Sequence, residues 1–128
     1  MGIRYEKDTI LSWINEMGKF LRLVVRQWKG LEEGTPSVDI AKGYEEFFRH
    51  DRAYFVALSE EEIIDYSMQL DQEQVRPLAQ LLMYDGLIHK DNSQLSKAKI
   101  LFEHYMRCTG SFSFEDYGFL NEIKKHLN

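Results

Sequence analysis

A single cysteine, Cys108, is the only thiol in the chain, so no intramolecular disulfide framework can form and no zinc motif can be assembled from cysteines. That usage fits a reducing compartment. Proline occurs twice and glycine eight times in 128 residues, too few to punctuate many short strands and turns, and this favours long helices. The chain also lacks an apolar run of the roughly 18 residues that a membrane helix needs, because Glu16, Lys19, Arg22 and Arg26 interrupt even its most hydrophobic stretch. The first residues show no basic start, apolar core and small-residue cleavage site of a secretory signal. A cytoplasmic protein with no membrane association is expected. Basic surplus is missing too: the formal net charge is −5, which argues against a dedicated nucleic-acid binder while leaving room for a local basic patch.

What the chain does hold is helix-packing material. Hydrophobic residues make up 44% and charged residues 29%, the balance of an ordinary globular protein, and the length suits one domain with one core. Residues 8–29 carry Ile10, Ile14, Met17, Leu21, Val24 and Trp28 at alternating spacings of four and three, widened by Trp13, Phe20 and Val25. This predicts a long first helix on which shorter helices pack. On its other side Lys19, Arg22, Arg26 and Lys29 form a basic row. Such a row either docks an anionic partner or serves as a solvated face whose charges suit the C-terminal end of the helix dipole.

Further helices follow in order. Gly30, Gly34 and Pro36 should end the first helix, and a second should run over residues 37–50, weakened at Gly43 by roughly 1 kcal/mol relative to alanine. Tyr44, Phe47, Phe48, Tyr54 and Phe55 cluster there, as core filling or as an aromatic groove for a peptide or small molecule. Ser59 and Glu62 make a capping box that opens an acidic-fronted helix through Leu70. A helix from Gln72 to about His89 contains Pro77, which either bends it or, were the start at Arg76, would sit in the first turn. Residues 94–108 form the next, stopped at Gly110, and Ser113 caps a last one through Leu127. The expected fold is all-α, about six helices in one domain, with residues 1–70 and 71–128 as its two parts.

Leu78-Ala79-x-Leu81-Leu82-x-x-x-Gly86 followed by Leu95-x-Lys97-Ala98-x-x-Leu101-Phe102-x-x-Tyr105 resembles a tetratricopeptide-type helical hairpin. With the opening Tyr5-Glu6-Lys7-Asp8 before a long helix, the layout also resembles uncharacterised bacterial all-helical proteins that close with such a hairpin. The resemblance implies a helical packing module and carries no assigned activity.

No catalytic set assembles from the sequence. None of His50, His89, His104 and His126 has a carboxylate three residues before it, the spacing of helical di-iron sites. Glu46/His50 and Glu122/His126 are four apart, the spacing of ordinary surface pairs and also of two metal ligands. His104 and Cys108 share a helix face, where a buried thiol or a base-and-thiolate pair are both consistent with the spacing. Phosphate loops, dinucleotide fingerprints and hydrolase or metalloprotease motifs are absent. No cofactor or metal is called for. The expected function is a non-catalytic helical protein-interaction or scaffolding domain, self-association included. The alternatives are a polyanion-associated regulator using the basic row, and a small-ligand binder.

Overall fold

The computed structural model describes residues 7–30, 39–111 and 113–127. Among them are seven α-helices and no strand: α1 (Lys7–Lys29), α2 (Ile40–Phe48), α3 (Arg52–Ala57), α4 (Glu60–Ser67), α5 (Gln72–His89), α6 (Asn92–Thr109) and α7 (Phe114–His126). The all-α expectation holds, with one helix more than foreseen. The added helix is α3, whose six residues are too few to show a period. It is started by Asp51, whose carboxylate accepts from the Tyr54 N–H at 2.8 Å. The predicted start of the second helix at residue 37, the terminators Gly34 and Pro36, and the Tyr5-Glu6 element lie outside the described residues.

Cap chemistry fixes the other boundaries. Ser59 and Glu62 exchange reciprocal hydrogen bonds at the head of α4, as the capping box requires. Asp39 caps α2, Asp91 caps α6 and Ser113 caps α7, each accepting from first-turn N–H groups. α5 begins at Gln72 and runs through Pro77, so the alternative start at Arg76 is not taken.

α1 is a flank of the core, and α5 is its axis. α5 packs against α1, α2, α6 and α7, and every residue from 81 to 87 is buried. The reason is legible in composition: Leu78, Ala79, Leu81, Leu82, Met83, Tyr84 and Leu87 are apolar on all sides of the helix, whereas α1 keeps a polar face. Within α1 the buried seam is Ile10, Trp13, Met17, Leu21 and Val24, with Ile14 and Trp28 only partly covered. Trp13 turns inward because its indole N–H donates to the Phe47 carbonyl at 3.0 Å while its ring meets Phe47 and Phe48 edge-on.

α5 and α6 form a closely packed hairpin across a two-residue link. Its tightest point is Gly86, where an added Cβ would lie 2.7 Å from Leu95 Cγ and 3.0 Å from the Asp91 carbonyl oxygen. Leu95 is buried and the carbonyl is backbone, so neither can yield cheaply. Gly86→Ala is therefore expected to destabilise the protein by about 1–3 kcal/mol despite the better helix propensity of alanine. Gly118, whose Cβ would meet nothing within 4 Å, is the internal contrast. Gly118→Ala is expected to raise the thermal midpoint while Gly86→Ala lowers it.

Candidate functional site

Two places in this fold combine open volume with unspent polar groups. The first is a channel between α1 and α7, both of which lie against α5. Two adjoining hollows of about 570 and 380 Å³ share Lys29, Tyr84, Glu115 and Phe119. Met83, Tyr84 and Leu87 of α5 make the floor, and Leu21, Val25 and Trp28 of α1 face Gly118 and Phe119 of α7. The Trp28 and His126 rings meet at 6.2 Å and bridge the two walls. From Gly18 to Lys29 the α1 wall spans about 16 Å, three helical turns.

The two walls carry opposite charge. Arg22, Arg26 and Lys29 stand on the α1 side, and no carboxylate among the described residues pairs with them. Lys19, the fourth member of the predicted row, is instead paired with Glu16 at 3.2 Å and exposed. On the α7 side Glu115 is engaged by Arg76, which also binds the buried Asp116 at 2.6 Å and lies over the Phe119 ring. Glu122 is near Lys125 and His126. Among the described residues the acidic wall is thus largely neutralised by its own neighbours, and the basic wall is not.

The second place is a polar cluster around Asp85. Its fully buried carboxylate accepts from Tyr44 Oη at 2.7 Å, Gln94 Nε2 at 3.1 Å, Arg52 Nε at 3.0 Å and His89 Nδ1 at 2.7 Å. Gln94 in turn accepts from Lys97 Nζ at 2.9 Å, and Lys97 also donates to the Phe55 and Val56 carbonyls. α2, α3, α5 and α6 are tied together at this one point. Burial by itself pushes the Asp85 carboxyl up, but the hydrogen bonds from Arg52, Tyr44 and Gln94 outweigh it and hold the group below its ordinary range. The Tyr44 phenol is pushed well up, first by burial and then by the neighbouring Asp85 charge. Burial likewise lowers the Lys97 ammonium, against the opposing pull of Asp91, Asp85 and Glu62.

The remaining predicted residues fall elsewhere. Tyr44, Phe47, Phe48 and Phe55 are buried in the core, Tyr44 stacking on Phe55 at 4.9 Å. Tyr54 is partly exposed and stacks on His50 at 3.9 Å. His104 and Cys108 lie on an exposed face with Sγ 3.5 Å from Nε2. Among the described residues no group of three or more His, Cys, Asp and Glu side chains is placed to hold a metal ion. No helix among them is long and apolar enough to cross a membrane.

Asp85, Gln94 and Lys97 were not foreseen from the sequence. The available signal was a carboxylate inside an apolar run with a histidine four residues on. Compared with protein-family models, curated proteins and solved structures, the chain finds no match.

Proposed function

We propose that this chain is a non-catalytic helical interaction domain that seats an acidic amphipathic helix of a partner protein in the channel between α1 and α7. The observation that carries this reading is that three members of the basic row, Arg22, Arg26 and Lys29, border the same channel whose floor is apolar. A three-turn helix fits the length, its apolar side meeting Tyr84, Val25 and Phe119 and its acidic edge meeting the basic wall of Arg22, Arg26 and Lys29. The formal net charge of −5, with no basic surplus beyond this row, favours a protein occupant over nucleic acid.

The test is fluorescence anisotropy with a labelled synthetic helix bearing leucines at positions 1, 4, 8 and 11 and glutamates along one edge. Binding is expected to be saturable, to weaken with salt, and to drop by about tenfold or more in Arg22→Glu/Arg26→Glu. Gly118→Leu is expected to narrow the part of the channel beside Trp28 and weaken binding while leaving the protein folded, since nothing stands within 4 Å of the new Cβ and leucine is the better helix former. Peptide binding unaffected by both variants, or equal binding of a peptide with lysines in place of the glutamates, would falsify the assignment. Tighter binding of a DNA duplex than of the acidic helix would overturn it in favour of a polyanion partner, and a concentration-dependent dimer lost in Gly118→Leu would overturn it in favour of a second copy.

A further inference from the structure

A separate cleft of about 470 Å³ opens between the start of α2, the start of α3 and the end of α5, lined by Asp39, Ala41, Arg52, Ile88 and His89 among others. Arg52 and His89 lie side by side there because both are anchored on one atom, Asp85 Oδ1, at 3.1 and 2.7 Å. A carboxylate cannot donate, so the proton of that second bond sits on His89 Nδ1, and the Nδ1–H tautomer of the ring presents Nε2 as an acceptor. Arg52 spends only its Nε on Asp85, and its terminal amino groups make no hydrogen bond among the described residues. The cleft wall therefore presents a fork of cationic donors next to one acceptor. Tyr44 and Gln94, both fully buried, hold the shared carboxylate from behind and so fix the orientation of the pair.

That pattern is complementary to a carboxylate with a hydroxyl on the adjacent carbon. The carboxylate pairs with the guanidinium fork, and the hydroxyl donates to the imidazole. Asp39 at the rim and Asp85 beneath leave no room for a second negative charge, which disfavours a phosphate dianion. Ala41 and Ile88 suit a short alkyl tail. We propose that this cleft binds a small 2-hydroxycarboxylate, with Arg52 holding the carboxylate and His89 the hydroxyl. The assignment is independent of the channel between α1 and α7.

The experiment is NMR titration of the isotope-labelled protein with 2-hydroxybutyrate, butyrate, 1,2-butanediol and butyl phosphate. Saturable shifts at the His89 ring and the Arg52 side chain are expected with 2-hydroxybutyrate, about tenfold weaker binding with butyrate, and no saturation with the diol. His89 is on the surface, so His89→Ala leaves the fold in place, and in it the hydroxy acid and butyrate are expected to bind equally. Gly118→Leu should change none of these values. Equal binding of butyrate and 2-hydroxybutyrate by the unaltered protein, survival of the preference in His89→Ala, or tighter binding of butyl phosphate would each overturn the assignment.

Discussion

Asp85→Ala is expected to cost about 3–5 kcal/mol, the largest effect of any single substitution considered for this protein. Its carboxylate serves four donors, two of which, the Tyr44 hydroxyl and the Gln94 amide, are fully buried and have no water to turn to. Arg52 loses the anion that balances it and the contact that holds α3 to α5. Urea denaturation should report a lowered midpoint with an unchanged slope if the native state survives. Asp85→Asn separates charge from hydrogen bonding: it keeps an acceptor for Tyr44 and should fall between the alanine variant and the unaltered protein. A pH profile checks the electrostatic part. Because the folded-state pKa of Asp85 lies below its unfolded value, the contribution is present above the unfolded value of about 4 and is lost as pH falls through the lowered folded value. Asp85→Asn should lack that acid-side loss. At the alkaline end the sign reverses for Tyr44, whose raised pKa makes its contribution complete below about pH 10 and lost as pH rises towards the folded value.

The local half of this architecture was written in the sequence. Ser59 with Glu62, Ser113, and Gly110 in the left-handed conformation at φ 67° mark helix ends by chemistry that needs no tertiary context. The seam of α1 was readable as periodicity, although Trp13 displaced Ile14 from its centre through a bond to a residue 34 positions away. What periodicity does not carry is the reason for a buried polar group. Asp85, Gln94 and Lys97 each count as surface residues in a hydropathy pattern, yet Asp85 meets Tyr44 and Arg52 at 41 and 33 positions away, Gln94 meets Tyr44 at 50 and Lys97 the Phe55 carbonyl at 42. His89, four residues after Asp85 on α5, and Lys97, three after Gln94 on α6, were within reach of a local rule. The basic row was legible as a row. That three of its members border a channel depended on α7 settling against α5 through Arg76 and Asp116, a pairing of residues 40 apart.

Lys97→Met carries the second large effect, expected at about 2 kcal/mol, and it tests whether the buried ammonium contributes to stability or merely survives there. Methionine fills nearly the same volume as the lysine stem, so little cavity opens and the loss reports on the polar head. That head donates at 2.9 and 2.8 Å to the Phe55 and Val56 carbonyls, at the C-terminal end of α3, where positive charge is favoured. Without it both carbonyls lose the ammonium, the Phe55 carbonyl keeping only the Leu58 N–H at 3.3 Å, and α3, only six residues long, keeps Arg52 and the buried Phe55 as its main anchors. Hydrogen exchange should therefore rise first in α3 and leave α5 protected. Stability equal to the unaltered protein would mean that desolvation of the ammonium cancels its three bonds. The double variant Asp85→Ala/Lys97→Met adds a further test, because Gln94 receives from Lys97 through Oε1 and donates to Asp85 through Nε2. Its amide orientation is set from both sides at once, so the two losses should fall short of adding by about 0.5–3 kcal/mol. Strict additivity would show that Tyr44, Arg52 and Asp85 hold together without Lys97, and that the cluster is two independent contacts sharing one glutamine.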